Sequence, residues 1–347
     1  MKGFYRSSAL KYKLKRIDEE HIDTFLENIN VSDITKKRTK AEKIDRVISF
    51  YQKNLERKDG YYLFPEVAEE NLKTFYQFIQ SYGFSTSSSI YVFQVERIEN
   101  LFNFLKEHTE FNFNAYSFYN LAQIKFDSNQ GEININGKVV NVFLPQRVFV
   151  YVAKKESGSE DIEGNKRIEK KEISIINKGD NFIEIRGEFD AIKNMILSLK
   201  SFEEEEGFQI LRLIKISKTE KEKKNPYTRF EVSETKIDVE KFRKKLGAKY
   251  RKIKAPVEGS KTEEATLKFE ESGIDSFEEE ENKHLKEVIK DASKGVDKGE
   301  LILNIDDYNF KFTVTASGGI NFKGNPPEKV LSYVIQELKQ FLRSQNV

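Results

Sequence analysis

The sequence predicts an α+β protein: an N-terminal helical domain, then a duplicated strand-rich region whose helices pack on one face of a curved antiparallel sheet. One observation behind this is an internal likeness. Phe182-Ile-Glu-Ile-Arg-Gly187 leads into an apolar helix pattern ending at Phe202, and Ile320-Asn-Phe-Lys-Gly324 leads into a similar one ending at Leu342. Aligned on the two glycines, with an insertion at Pro326-Pro327, Ile192, Met195, Ile196, Leu199 and Phe202 match Leu331, Val334, Ile335, Leu338 and Phe341. A second observation is a change of period. Helical spacing dominates to about residue 118, and alternation typical of strands begins near Ile124. The third is length: 347 residues suffice for two or three domains. The expected domains are 1–118 (helical), 119–206 (first α+β repeat) and 207–347 (second).

In the helical region, Ile22, Phe25, Leu26 and Ile29 share one helix face, and Ile44, Val47, Ile48 and Tyr51 share the next. Pro65 opens a helix with the stripe Leu72, Phe75, Tyr76 and Ile79, which Gly83 ends. Ser85–Ser89 is a loop signal, Tyr91–Phe93 a short strand, and Gln94–Lys106 a helix with Ile98, Leu101, Phe102 and Leu105 inward. Asn136-Gly137 is a hairpin turn between Ile133–Ile135 and Val139–Leu144. Arg147–Ala153 is a strand and Ser157–Lys166 an exposed loop. Ile173–Ile176 and Phe182–Arg186 form a hairpin about Lys178-Gly179-Asp180, and Phe189–Phe202 is a helix. Further on, Phe208–Ile216 and Thr266–Glu270 read as strands, and Val239–Leu246 as a short helix stopped by Gly247. Asn282–Ala292 is a helix. Leu301–Ile305, Phe310–Thr315 and Ile320–Lys323 are strands before a last helix, Glu328–Leu342, with Pro326-Pro327 at its entrance.

Composition removes several function classes. With no cysteine, disulfides, thiolate metal sites and cysteine nucleophiles are excluded. His21, His108 and His284 are scattered, against a histidine metal cluster. The absence of a long apolar run argues against a membrane helix, and Met1–Arg6 has no apolar signal core, so a cytoplasmic location and no membrane partner are expected. Abundant Lys, Glu and Ile without Cys or Trp resembles thermophile composition, although an AT-rich genome produces a similar bias. The charge balance, 59 Lys and Arg against 57 Asp and Glu, hides segregation: Met1–Arg16 and Lys241–Lys254 are basic, Glu263–Glu281 acidic.

Phe312-Thr-Val-Thr-Ala-Ser-Gly318-Gly319-Ile-Asn-Phe-Lys-Gly324, running into a long helix, resembles the last strands and helix of a TATA-binding-protein half-domain. The likeness, repeated at Phe182–Phe202, implies two halves forming a curved sheet. In that family phenylalanines at strand ends wedge between base steps. The matching position here is Thr315, so promoter-type DNA kinking is not expected. Alternation puts Phe310, Phe312 and Val314 toward the helix and Lys311, Thr313, Thr315, Asn321 and Lys323 outward, with Glu184 and Arg186 as the outward pair of the first half.

The stretch Ile34–Ile48 resembles the second helix of SAP-like DNA-binding motifs, without the leucine spacing of their first helix. Its Lys36, Lys37, Arg38, Lys40 and Lys43 are candidate phosphate contacts at a helix N-terminus. The competing reading is a solvated helix start capped by Thr39. The second candidate is Lys241, Arg243, Lys244, Lys245, Lys249, Arg251 and Lys252, interleaved with Phe242 and Tyr250. Against it, Phe242 and Leu246 have core spacing, and the acids of Ser276–Glu281 stand near enough to neutralise the charge.

Enzymatic motifs are weak. Glu234-Thr-Lys236 has half a nuclease pattern but Pro226-Tyr227 where an aspartate is wanted, and Gly318-Gly319 lacks phosphate-loop spacing. No serine carries a nucleophile-elbow frame, and His108 suits a helix C-terminus. The expectation is a non-enzymatic protein without cofactor or metal that binds DNA or RNA. The alternative is a protein-interaction or assembly adaptor using the sheet or the aromatic stretch Phe111, Phe113, Tyr116, Phe118 and Tyr119.

Overall fold

The computed structural model describes residues 4–6, 14–15, 17, 19–28, 39–52, 56–58, 61–63, 89–125, 130–135, 137–160, 166–211, 237–256, 264–268, 298–316 and 318–345. The chain divides into two compact units, one of residues 1–85 and 324–331, the other of 86–323 and 332–347.

The first unit contains strands β1 (Phe4–Arg6), β2 (Glu56–Lys58) and β3 (Tyr61–Leu63), joined as a three-stranded antiparallel sheet in the order β1-β3-β2. Helices α1 (Glu19–Asn28) and α2 (Lys40–Gln52) bury the expected stripes: Ile22, Phe25 and Leu26 on one, Ile44 and Val47 on the other. Thr39 begins α2 with a reciprocal cap. Glu42 N–H donates to Thr39 Oγ1 at 3.4 Å, and Thr39 N–H donates to Glu42 Oε2 at 2.8 Å. The helix predicted after Pro65 lies outside the described residues.

The second unit is built on a twelve-stranded sheet. Its strands are β4 (Ser89–Glu96), β5 (Glu110–Phe113), β6 (Tyr116–Lys125), β9 (Arg147–Glu160), β10 (Lys166–Asn177), β11 (Phe182–Gly187), β12 (Gln209–Leu211), β13 (Lys249–Pro256), β14 (Glu264–Lys268), β15 (Lys298–Ile305), β16 (Tyr308–Thr315) and β17 (Ile320–Phe322). The order is β14-β13-β15-β16-β17-β4-β11-β10-β9-β6-β5, with β12 also on β4, and every pairing is antiparallel. A separate hairpin, β7 (Gln130–Ile135) and β8 (Lys138–Phe143), turns at Gly137, whose φ is +80°. The helices are α3 (Ile98–Glu107), α4 (Phe189–Ser201), α5 (Glu203–Glu206), α6 (Val239–Leu246) and α7 (Glu328–Gln345).

Short strands predicted from the sequence are longer here. Tyr91–Phe93 grows into β4, which lies mid-sheet, and helix α3 starts only at Ile98. Residues 110–113 and 116–125, at the end of the predicted helical region, are strands. Their large side chains alternate inward: Phe111, Tyr116 and Phe118 are buried. A few aromatic residues at period two within a mostly helical stretch gave too short a strand signal. The predicted loop 157–166 likewise contains strand, since β9 reaches Glu160, which pairs with Lys166 of β10.

Helices do not share one face of the sheet, as the sequence reading expected. Ile183 and Ile185 of β11 pack in one core with Phe93, Leu101, Phe102, Phe104, Ile192, Met195 and Leu199, so α3 and α4 cover that face. Phe182 and Glu184 alternate to the other face, where Lys339 and Arg343 of α7 lie over the Phe182 ring, with Lys339 Nζ 5.4 Å and Arg343 Cζ 4.8 Å from its centroid. There α6 packs beside α7 through Phe242 and Phe341, whose rings are 5.6 Å apart. Strand β11 is therefore buried on both faces along its whole length. Glu184 and Arg186, expected outward, are each 0% exposed. The expectation failed because alternation tells which residues share a face but not what covers that face.

Candidate functional site

Crossing the sheet between β13 and β4 displays a face that carries no described helix. Paired positions on neighbouring antiparallel strands share a face. One row runs Lys249–Ile302–Lys311. The next runs Lys252–Glu300–Thr313–Asn321. A third pairs Lys298 with Thr315, whose backbone N–H donates to Gly319 O at 3.0 Å. Lys323, whose N–H donates to Lys311 O at 3.0 Å, extends the first row. Arg251 occupies the bulge between Tyr250 and Lys252, and its Nη1 is 3.5 Å from Glu300 Oε1. The opposite alternation, Leu301, Leu303, Phe310, Phe312 and Val314, is buried.

This face holds Lys249, Arg251, Lys252, Lys298, Lys311 and Lys323 against a single described carboxylate, Glu300. Lys249, Lys298 and Lys323 are exposed and the other three half-buried. Glu300 Oε1 lies 2.7 Å from Lys323 Nζ, so the one acid holds two of the cations in place. The rows end at Tyr91 and Phe189, whose rings are tilted at 46° with centroids 5.8 Å apart. Gly319 permits this edge, because a Cβ there would stand 2.8 Å from Tyr91 Oη.

The second basic segment of the sequence splits between the two faces. Lys249, Arg251 and Lys252 belong to the open rows. The cations of α6 lie on the helix side and are matched by acids. Arg243 is buried, donating to both oxygens of Glu240 and, at 2.7 Å, to Ala248 O. Lys241 lies 3.4 Å from Asp238, Lys244 3.6 Å from Glu240, and Lys245 3.4 Å from Glu337. Phe242 and Leu246 are core, as their spacing suggested, and Tyr250 is core as well: burial, with Glu240 close by, pushes its hydroxyl pKa well up. The acidic run Ser276–Glu281 lies outside the described residues.

Of the first candidate set, Lys36, Lys37 and Arg38 lie outside the described residues. Lys40 is half-buried at the start of α2. Lys43 is not a surface contact: it is 3% exposed, with Nζ 2.7 Å from Glu19 Oε1 and 2.8 Å from Asp23 Oδ2. Burial alone would lower its pKa, but these two carboxylates reverse the sign and raise it. The Glu42 carboxylate accepts the Thr39 N–H, so the helix start is already supplied with an anion. Thr39 acts as the cap of the competing reading.

Lys298 was absent from the sequence candidates, and Lys311 and Lys323 were seen only as outward residues of a strand pair. No contiguous run marks them. Their signal is isolated lysines on separate segments that strand pairing brings to one face, legible only once that pairing is known. The Glu234-Thr-Lys236 motif lies outside the described residues. Among the described residues no group of acids and histidines is placed to hold a metal ion. No described helix is long and apolar enough to cross a membrane. No protein-family model matches the chain, and no curated protein matches its sequence.

Proposed function

We propose that this protein binds nucleic acid without catalysis, and that its contact surface is the open sheet face from β13 to β17. The observation that carries this reading is the composition of the face: Lys249, Arg251, Lys252, Lys298, Lys311 and Lys323 stand against Glu300 alone among described residues. Lysines at strand spacing meet a sugar–phosphate backbone at several points, while Thr313, Thr315 and Asn321 supply hydrogen-bonding groups between them. Tyr91 and Phe189 border the rows and offer rings on which bases can stack. Phe189 is 40% exposed, which favours single-stranded over duplex ligands.

The reading includes a duplicated α+β architecture whose two helix sets lie on opposite faces of the sheet, unlike the single helix-bearing face of the TATA-binding-protein type. In its support, β4-α3 precedes the meander of β5, β6, β9, β10 and β11 and then α4, while β12 precedes α6, the strands β13 to β17 and then α7. The five helix positions that match between Ile192–Phe202 and Leu331–Phe341 are buried, except for a half-buried Phe202.

Fluorescence anisotropy with labelled single-stranded DNA, RNA and duplex, over a salt series, tests the function. Lys298→Glu combined with Lys311→Glu is expected to abolish binding, and Lys241→Glu, on the helix side, to leave it near native. Equal loss in both variants, or no binding at low salt, refutes the assignment. A second reading as a protein adaptor rests on exposed Leu121 and Ile168, 61% and 58% accessible, beside half-buried Val150 and Val152 on the first meander.

A further inference from the structure

A second cationic site is built where the β10–β11 turn meets α7. The turn is rigid: Asn177 Nδ2 donates to Asp180 O at 2.7 Å and Phe182 O at 2.8 Å, and its Oδ1 accepts the Gly179 N–H at 3.0 Å. Gly179 has φ +86°, which a side chain would strain. The turn thereby fixes Lys178 and Asp180 at one wall of a cleft. Lys339 and Arg343, one helical turn apart on α7, form the opposite wall, and the side chain of Phe143, 50% exposed, flanks the opening.

The charges beneath this cleft are held in place. Glu184, wholly buried, accepts from Arg186 Nη2 at 2.6 Å and lies 2.8 Å from Lys178 Nζ and 3.7 Å from Lys339 Nζ. Lys339 Nζ also reaches Asp180, at 3.2 Å and 3.3 Å from its two oxygens. Burial acts to raise the Glu184 carboxyl pKa, but the charges of Lys178, Arg186 and Lys339 outweigh it and hold the pKa at about 2. Glu184 is thus an anion set between Lys178 and Lys339 at the floor, while Arg186 balances it from below. Among the described residues the cleft is lined by Lys178, Lys339 and Arg343 against one acid, Asp180.

We infer that this cleft binds a phosphate monoester, with the dianion against Lys339 and Arg343 above the buried ammonium of Lys178 and its attached ring against Phe143. Three lining cations and one carboxylate leave two positive charges, which suits a dianion better than a singly charged carboxylate or phosphodiester. Gln336 and Gln340 line the same space with amide groups able to donate. The ligand is a free nucleotide or the phosphorylated end of a strand. Neither source requires the sheet face to bind.

The test is isothermal titration of the full chain with inorganic phosphate and with adenosine monophosphate at constant ionic strength. One-to-one binding of both, tighter for the nucleotide, is expected. Arg343→Gln, at an exposed position, should weaken both by about tenfold without moving the unfolding midpoint. Phe143→Ala should remove only the advantage of the nucleotide. Anisotropy with 5′-phosphorylated and 5′-hydroxyl oligonucleotides then separates the sources: a preference for the phosphorylated strand that Arg343→Gln abolishes identifies the strand end, and equal binding identifies the free nucleotide. No heat of binding with either small ligand at about 10 mM overturns the inference. So does native affinity in both variants.

Discussion

Glu300→Gln is the sharpest single probe of the open face, because it removes the only described acid there and changes little in shape. In the native protein the carboxylate sits between Lys252 and Thr313, 2.7 Å from Lys323 Nζ and 3.5 Å from Arg251 Nη1. Among the described side chains of the face, six cations less one carboxylate sum to +5, and the variant raises that sum to +6. A phosphate about 7 Å from the lost charge gains ~0.6 kcal/mol in bulk water and ~2.4 kcal/mol at an effective dielectric of about 20. Screening at about 0.1 M salt trims this toward ~1 kcal/mol, or roughly fivefold in affinity. Lys323 and Arg251, released from Glu300, can each neutralise a phosphate. The log–log salt slope for single strands should therefore steepen by about 0.7 to 1.4. Two partly exposed ion pairs are lost, so stability should fall by no more than ~1 kcal/mol. The assay is anisotropy with a labelled single strand across a potassium chloride series, with urea unfolding alongside. Unchanged or weaker binding, or a flatter slope, in a variant that unfolds at the native midpoint would refute the reasoning.

Four further outcomes are expected. Phe189→Ala should cost roughly 1–3 kcal/mol in single-strand affinity while leaving the salt slope unchanged, since stacking releases no counterions. Glu184→Gln strands Lys178, Arg186 and Lys339 and should destabilise by about 3–5 kcal/mol in urea titrations. Because the native Glu184 carboxyl is held at about 2 against an ordinary 4.5, its contribution is full above pH 4.5 and drains away as pH falls toward 2. The variant's stability should vary less with pH across that window. Lys43 shows the opposite sign: its raised pKa means a contribution that is full below its ordinary 10.5 and is lost as pH climbs past the folded value. Lys43→Met should flatten that alkaline dependence, followed by circular dichroism from pH 9 to about 12. Gly187→Ala places a Cβ 2.9 Å from the backbone oxygen of Glu172 and should cost about 1–3 kcal/mol in the urea midpoint by displacing β10.

Elements whose signals are local were read accurately. Val239–Leu246 forms the predicted helix, with the Asp238 side chain accepting the Lys241 N–H at its start and Gly247 at φ +65° at its end. Helix Phe189–Ser201, the turn at Gly137, the strands around Phe310–Thr315 and the Thr39 cap follow from capping chemistry and period alone. The candidate site was legible only in fragments. Lys249, Arg251 and Lys252 came from a basic run that also contained Arg243, a cation enclosed by Glu240 and the Ala248 carbonyl. Composition cannot divide such a run, because helix and strand residues adjacent in the chain go to opposite sides of the sheet.

Local sequence carried the α+β character, the capped helix Val239–Leu246, the turn at Gly137 and which side chains of each strand share a face, since these depend on neighbours within a few residues. Tertiary structure alone decided which faces are covered. It buried Glu184 and Arg186, brought Lys178 and Lys339 to one carboxylate across 161 positions of chain, and put Lys298, Lys311 and Lys323 on one face with Lys249 and Lys252. Charge is read by a ligand as a surface, and that surface is set by strand order and register, which depend on pairings between segments far apart in the chain.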